Sequence, residues 1–385
     1  IGFFSPKLKR KCGIVVRFFL FVDKNQVMIN HPHIIIDCHA HLRDTASADK
    51  LMAITSAIGH ARTGIVCTVN RDQVNANPFA LACKFRYPHQ VYLFAGLDHT
   101  AWLADRHNKA TILARQVDEL IAIGADGVKM IEGKPTTRSW LKEPIDGAYF
   151  SSYFARMEET RLPILWHVND PEEFWNPDTT PSWAKEHGWG YGPEHIQKET
   201  QYAEVERVLL RHSKLNIIFA HFYFLSADLP RAARFLDAHP SVNFDLTPGI
   251  EYLYNLSRDP EATRIFFIKY ADRLVFGTDI MSTQTLAEAR ARSGIARRWL
   301  ETDDEYRVPQ DVDFLLGKPE DGVIRGLKLP EATLEQIYQK NYERISGAQP
   351  RPLNVSRAAT ECRRIAALAK DPKDALAAAM ILEQS

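Results

Sequence analysis

Short apolar runs alternate with longer amphipathic segments along most of the chain. The first run, 34–36, leads into Asp37-Cys38-His39-Ala40-His41. Seven further runs follow, at 65–69 (IVCTV), 91–96 (VYLFAG), 127–131 (GVKMI), 163–167 (PILWH), 216–221 (NIIFAH), 242–246 (VNFDL) and 274–279 (LVFGTD). Between the runs, apolar positions recur at intervals of three and four residues, as in the segments 49–61, 110–123, 199–211 and 229–238. This pattern predicts eight strands joined by helices.

Strands that alternate with helices of this length predict right-handed crossovers and a parallel sheet with covered faces. Eight such units predict an α/β fold, a (β/α)8 TIM barrel, over residues 31–348. Residues 1–30 form an N-terminal extension of undefined role, and residues 349–385 a C-terminal helical extension with Ser356 as the expected N-cap. In such barrels the active site lies at the carboxyl ends of the strands.

Metal-ligand residue types stand at the predicted carboxyl ends of four strands. His39 and His41 end the first strand, and they leave the same face because a strand alternates its side chains with a period of two. His167, His221 and Asp279 end the fifth, sixth and eighth strands. Any of these histidines alone is well explained as a hydrogen-bonded core residue, but the set together indicates a metal site.

Four motifs together resemble the amidohydrolase superfamily of metal-dependent hydrolases. They are DCHAH at 37–41, LPILWH ending at His167, IIFAH ending at His221 and VFGTD ending at Asp279. The resemblance spans residues 34–345. The segment 329–341 is similar to the one that follows the barrel in the branch containing aminocarboxymuconate semialdehyde decarboxylase, although Asn-Tyr stands at 341–342 where that branch usually has Asn-Ala.

The resemblance implies one divalent metal ion bound by His39, His41, His167 and Asp279, with zinc expected and manganese as the alternative. A catalytic zinc keeps one coordination position open for water and lowers the pKa of that water toward roughly 7. Asp279 is then expected to accept the proton of the attacking water and to pass it to the leaving group. His221 is expected to polarise the scissile carbonyl and to stabilise the oxyanion.

Lys129 lies within the fourth predicted strand. Binuclear members of the superfamily carry a carboxylated lysine on this strand, and in that case His221 and His167 would bind a second ion. The alternative is an ordinary amine that holds a substrate carboxylate or pairs with Glu132. Because a lysine on a buried strand is costly unless it is paired, a role in the site is expected. A single metal ion is the preferred interpretation.

The connection after the fifth strand, residues 169–198, is unusually long. It contains Trp175, Trp183, Trp189 and Tyr191, together with four prolines. Connections of this length are usually functional or disordered, and the aromatic content argues against disorder. The sequence therefore predicts a lid that shapes a substrate pocket, with an ordered surface excursion as the alternative.

The predicted function is a metal-dependent hydrolase that cuts an amide, lactone or ester bond of a small molecule. A metal-dependent non-oxidative decarboxylase would use the same ligands, with Lys129 or Arg138 holding the carboxylate of a small acid. A non-catalytic metal- or ligand-binding barrel is a third interpretation, which the presence of Asp279 beside a full histidine set disfavours.

The amino-acid composition limits which binding partners and which cellular compartment are expected. Lysine plus arginine equals aspartate plus glutamate at 48 each, so no charge excess points to nucleic acid or to an anionic membrane. The five cysteines lack paired spacing, which predicts reduced thiols and a cytoplasmic enzyme. We expect a small-molecule substrate, no nucleic-acid or membrane partner, and a homo-oligomer as an open alternative. The apolar run 14–22 contains Arg17 and is too short to span a bilayer.

Overall fold

The structure, a computed structural model, describes residues 33–70, 74–105, 111–310 and 318–384, so the predicted extension 1–30 lies outside the described residues. The strands are β1 (Ile35–His41), β2 (His60–Val66), β3 (Val69–Asn70), β4 (Val74–Asn75), β5 (Val91–Gly96), β6 (Gly127–Gly133), β7 (Ile164–Val168), β8 (Ile217–Phe219), β9 (Val242–Asp245), β10 (Leu274–Val275), β11 (Ile280–Met281), β12 (Glu305–Tyr306) and β13 (Ile324–Arg325).

The helices alternate with the strands of the main sheet. They are α1 (Ala48–Ala57), α2 (Asn77–Arg86), α3 (Thr100–Ala104), α4 (Ile112–Ile123), α5 (Pro135–Leu141), α6 (Ala148–Thr160), α7 (Ser182–Glu186), α8 (Lys198–Arg211), α9 (Leu229–Ala238), α10 (Ile250–Leu256), α11 (Pro260–Lys269), α12 (Leu286–Glu301), α13 (Glu331–Glu335), α14 (Asn341–Ser346), α15 (Val355–Leu368) and α16 (Lys373–Glu383). Within the described ranges, no helix is long and apolar enough to cross a membrane.

The main sheet is parallel throughout, in the order β10-β9-β8-β7-β6-β5-β2-β1-β11. Its two edge strands, β10 and β11, belong to one segment, 274–281. Leu274 pairs with β9, Ile280 pairs with β1, and the amide of Cys38 donates to the carbonyl of Phe276 at 3.0 Å. The sheet is therefore curled, and this α/β architecture is consistent with the predicted (β/α)8 barrel.

The sheet interior holds its own apolar cluster, separate from the larger core between sheet and helices. Its members are Ile36, Cys38, Val66, Tyr92, Phe94, Leu165, Ile218, Ala220, Val275, Tyr342 and Ile345. Because strands alternate their faces, His167 continues the inward row of Leu165. On β1 the register against β2 shifts between Asp37 and Ala40, and a shift of this kind re-aims the side chains that follow it.

Several predicted boundaries differ from the observed ones. The sixth predicted strand ends at Phe219, so His221 lies beyond the strand rather than at its end. The eighth splits into β10 and β11, because Asp279 has a φ of 57°, which a continuous strand does not allow.

The C-terminal segment contains two helices, α15 and α16, that pack against α2. The prediction that Ser356 caps the first helix was wrong. Asn354 is the N-cap, and its side chain accepts a hydrogen bond from the amide of Arg357 at 3.1 Å. Asn354 and Ser356 are both good capping residues, and only the observed helix start distinguishes them.

Candidate active site

Three of the predicted ligands, His39, His41 and Asp279, lie together and are named the metal cluster here. One ligand atom from each lies within 4.8 Å of the others. Oδ1 of Asp279 is 3.1 Å from Nε2 of His41 and 4.0 Å from Nε2 of His39. Four ligands at 2.0 to 2.2 Å around one zinc ion would be separated by about 3.3 to 3.6 Å. The spacing and the nitrogen and oxygen donors of the metal cluster therefore fit a single divalent ion.

Two buried carboxylates hold the metal cluster in place. Oδ2 of Asp245 lies 2.8 Å from Nδ1 of His39, which leaves Nε2 of that ring for the metal cluster. Asp37 accepts hydrogen bonds from the amides of His39 and Thr278, at 3.0 and 3.1 Å, and so ties β1 to the segment before Asp279. Such carboxylate partners orient a metal-binding histidine and raise its basicity.

The pKa shifts in the metal cluster favour the protonation states in which its residues bind a metal ion. Burial lowers the pKa of His39 and of His41, so both rings are neutral at neutral pH. Burial also acts to raise the pKa of Asp279, but the hydrogen bond with His41 and the positive charge of Arg292 act against it, and the pKa is held well below its usual value. Two neutral imidazoles and one carboxylate result.

Backbone strain is concentrated beside this site. Asn169, His221 and Asp279, which each follow a strand of the sheet, have φ values of 67°, 56° and 57°. The left-handed conformation continues through residues 222–224. It is unfavourable for residues other than glycine, and such strain is typical of functional sites.

His167 does not join the metal cluster among the described residues. Its Nε2 lies 3.3 Å from Oδ1 of Asp170, and burial lowers the pKa of this imidazole to about 4. Asp170 also accepts hydrogen bonds from Nζ of Lys134, at 2.6 and 2.8 Å, and from the hydroxyl of Tyr191. A polar network thus fixes His167 beside the start of the long connection.

Lys129 and His221 both lie next to predicted ligands. Nζ of Lys129 is 3.2 Å from Nε2 of His39, and burial lowers the pKa of this lysine to about 8. The ring of His221 is centred 5.4 Å from that of His39 and 5.0 Å from that of His167. The amide of His221 donates to Asp245 at 2.7 Å, and the same carboxylate bonds His39, so the left-handed turn is held beside His39.

A pocket opens beside the metal cluster. Its lining comprises Lys134, His167, Asp170, Pro171, Glu173, Phe174, Pro181, Trp183, Trp189, His221, Phe224, Pro248, Gly249, Glu251 and Asp279. Asp279 therefore belongs to both the metal cluster and the pocket. The connection 169–198 supplies about half of the lining, and its aromatic residues pack around Phe174 and Tyr191.

Two other predicted contacts are absent from the described pocket. Nη2 of Arg138 lies 3.1 Å from Oε1 of Glu204, and Arg138 does not line the pocket. Glu132 pairs with His99 at 2.7 Å instead of pairing with Lys129. For Arg138 to hold a substrate carboxylate, or for Glu132 to pair with Lys129, the side chain would have to point toward the metal cluster. The bonds to Glu204 and His99 direct these two side chains elsewhere.

Sequence reasoning undervalued Asp245 and missed Asp170 and Glu251. From the sequence, Asp245 was assigned no role, but it is the hydrogen-bond partner of His39. Its position at a predicted strand end was the available signal. Asp170 follows His167 by three residues, which was a weaker one. For Glu251 we find no signal, because its place in the pocket depends on the path of α10.

Comparison with known proteins gives a family and a fold. A family model described as amidohydrolase matches residues 36–345. None of the curated proteins matches the chain. The structure is similar to the apo form of an IDCase from Metarhizium anisopliae, with 13% identity, coverage of 81% of this chain and 96% of that one, and a TM-score of 0.51. It is also similar to an amidohydrolase II, with 12% identity, 81% and 99% coverage and a TM-score of 0.50.

A further similar structure is a variant of 5-carboxyvanillate decarboxylase from Novosphingobium aromaticivorans with bound manganese. The identity is 12%, the coverage is 82% of this chain and 97% of that one, and the TM-score is 0.49. At identities this low, structural likeness shows a shared fold and not a shared reaction.

Proposed function

The chain belongs to the amidohydrolase family, as its four motifs predicted, and we propose that it is a metal-dependent hydrolase that cuts an amide, lactone or ester bond of a small molecule. The observation that carries the proposal is the position of Asp279. Its carboxylate lies 3.1 Å from Nε2 of His41 and also lines the pocket. The carboxylate of Asp279 therefore contacts a proposed metal ligand and also faces the pocket in which a substrate would bind.

We infer that His39, His41 and Asp279 hold one divalent ion, with His167 as the fourth ligand once its ring leaves Asp170. Imidazole and carboxylate donors suit zinc and also manganese. When bound, such an ion supplies Lewis-acid chemistry, because it polarises a carbonyl group and lowers the pKa of water toward roughly 7.

The side chains around the metal cluster would handle the proton and the developing charge. Asp279 is ionised at neutral pH and can accept the proton of the attacking water, then deliver it to the leaving group. His221 would donate a hydrogen bond to the carbonyl oxygen as negative charge develops there. Lys129, buried beside His39, would add positive charge on the same side.

The connection 169–198 would act as a lid over this chemistry. Phe174, Trp183 and Trp189 line the pocket and form one aromatic cluster with Tyr191. An apolar cover of this kind excludes bulk water, which strengthens the electrostatic interactions inside the pocket.

Decarboxylation of a small carboxylic acid is the second candidate, and the segment 329–341 supports it through its resemblance to a decarboxylase branch. The charge of the pocket weighs against it. Among the described lining residues, Lys134 already binds Asp170, while Glu173 and Asp279 add further negative charge. A substrate carboxylate would meet repulsion there unless the metal ion held it.

The test is Asp279→Asn in the metal-loaded enzyme, assayed against a panel of lactones, N-acyl amides and aryl esters. Because the amide cannot accept the proton, we expect kcat to fall by about 10²- to 10⁴-fold while elemental analysis finds most of the metal still bound. Asp237→Asn, an exposed change on α9, is the control. Unchanged turnover would remove Asp279 as the base, and release of carbon dioxide from aryl acids without any hydrolysis would favour decarboxylation.

A further inference from the structure

Two carboxylates, those of Glu173 and Glu251, stand in the pocket wall, and we name this pair the acidic wall. Both oxygens of Glu251 and Oε2 of Glu173 are shielded from solvent, and no other described residue forms a hydrogen bond with them. Both residues line the pocket that also contains Asp279. A buried polar group without a partner destabilises the folded protein, so a ligand that donated hydrogen bonds to these oxygens would gain affinity.

The electrostatics of the acidic wall point to a positively charged ligand. Burial raises the pKa of Glu251 to about 7, and the negative charge of Glu173 contributes to the rise. Asp170 acts in the same direction and Lys198, from α8, acts against it. Nζ of Lys198 lies 3.2 Å from Glu172, so its charge is largely neutralised. Among the described residues, neither Glu173 nor Glu251 forms an ion pair.

The remaining wall suits the body of such a ligand. Phe174, Trp183, Trp189 and Phe224 present aromatic surface to the same pocket. Nζ of Lys134 lies 4.5 Å from the ring centre of Trp189, so one of these rings already faces an ammonium group. Aromatic faces attract cations, and carboxylates add charge-assisted hydrogen bonds.

We propose that the pocket binds substrates that carry a protonated amine in addition to the bond that is cut, with the amine held by Glu251 and Glu173. The substrate class rests on the proposed function, whereas the binding of the amine does not. An ammonium group donates three hydrogen bonds, which matches the three unpartnered oxygens.

Binding should be linked to a proton. An ammonium ligand favours the ionised form of Glu251, so a fraction of Glu251 groups that are protonated near neutral pH would release their protons on binding. Affinity is expected to fall as the pH drops below about 7. The charged groups that face Glu251 and share this response are Glu173, Asp170 and Lys198.

The experiment is calorimetric titration of the metal-loaded protein at pH 8 with benzylamine and with benzyl alcohol, which have the same shape but differ in charge. We expect benzylamine to bind about tenfold or more tightly, as a charge-assisted hydrogen bond predicts. In Glu251→Gln the preference for benzylamine should shrink severalfold, because Glu173 alone then faces the ammonium group. The matched control is Glu261→Gln, an exposed carboxylate on α11, which should keep the preference.

Three results would overturn the proposal. These are equal binding of both probes to the wild type, a preference that is undiminished in Glu251→Gln, and a preference lost in the exposed control. An amine that merely coordinated the metal would give the second result. A melting curve establishes that Glu251→Gln is folded, and Glu173→Gln provides a second variant in which benzylamine binding should weaken.

Failure of this proposal is distinguishable from failure of the proposed function. If no hydrolysis is found but benzylamine binding depends on Glu251, the amine site stands and the hydrolase assignment fails. If hydrolysis is found without preference for amine-bearing substrates or for benzylamine, the reverse holds.

Discussion

The metal cluster and the acidic wall face the same pocket but are built in opposite ways. In the metal cluster, His39 is held by Asp245 at 2.8 Å and His41 lies 3.1 Å from Asp279. In the acidic wall, both oxygens of Glu251 are buried without a partner among the described residues. The donors of the metal cluster are thus held in position by hydrogen bonds within the protein, whereas the oxygens of the acidic wall gain hydrogen-bond partners only when a ligand binds.

This difference separates two kinds of function. A catalytic constellation requires fixed positions, which second-layer hydrogen bonds provide. A recognition surface gains selectivity from groups that remain costly until the correct partner binds them. Metal affinity should therefore fall when a hydrogen-bond partner of the metal cluster is removed. The folded protein should become more stable when a charge of the acidic wall is removed.

The largest effect in this comparison is expected from Asp245→Asn. The variant weakens the hydrogen bond that orients His39 and lowers the basicity of that ring, so metal affinity should fall by about 10- to 100-fold. Competition with a chelator measures it. The exposed Asp237→Asn should leave metal affinity unchanged, and an unchanged affinity in Asp245→Asn would mean that the metal cluster does not depend on this support.

The pH dependence of stability tests the acidic wall. The folded-state pKa of Glu251 is about 7, above the ordinary value of 4.5, so the folded protein binds this proton more tightly than the unfolded chain does. The resulting stability is present below pH 4.5 and is lost as the pH rises through 7. Glu251→Gln avoids this loss.

We therefore expect Glu251→Gln and wild type to unfold alike at pH 5, and the variant to be more stable by about 1 to 2 kcal/mol at pH 8. Urea unfolding at both pH values measures the difference, with Glu261→Gln as the exposed control. A variant that is less stable than wild type at pH 8 would show that Glu251 has a stabilising partner in the folded protein.

The smallest effect is expected from the hydrogen bond between Tyr191 and Asp170 within the connection 169–198. Tyr191 donates a hydrogen bond to Asp170, which keeps Lys134 and His167 as partners when the hydroxyl is removed. Tyr191→Phe should cost about 1 kcal/mol and should speed proteolytic cleavage within 169–198. Tyr87→Phe, whose hydroxyl bonds an exposed Asp49, should do neither. Unchanged cleavage in Tyr191→Phe would show that this bond does not anchor the connection.

Sequence periodicity predicted the strands well. The crossover connections cover the parallel sheet, so each strand is buried on both faces and appears in the sequence as a short apolar run. Periodicity also located His39, His41 and Asp279, since the carboxyl ends of parallel strands meet at one side of the sheet. It did not predict the register shift on β1 or the left-handed backbone at His221 and Asp279. These features depend on hydrogen bonds to residues distant in sequence, such as Asp37 to Thr278.

The acidic wall was beyond sequence reasoning for a related reason. Glu173 and Glu251 are separated by 78 positions and lie on a connection and a helix that carry no ligand motif. What distinguishes them is that carboxylate oxygens of both lack a partner in the part of the chain that the structure describes. A sequence pattern indicates which groups are present but not which remain unsatisfied after folding.

Metal stoichiometry tests the central claim most directly. The protein would be purified without chelators and analysed for zinc and manganese beside His39→Ala and the control His187→Ala, an exposed ring in the connection 169–198. We predict about one equivalent in wild type and in the control, and a large loss in His39→Ala. Near two equivalents would favour a carboxylated Lys129, whereas no metal in wild type, or the same content in His39→Ala, would contradict the metal cluster as the catalytic centre.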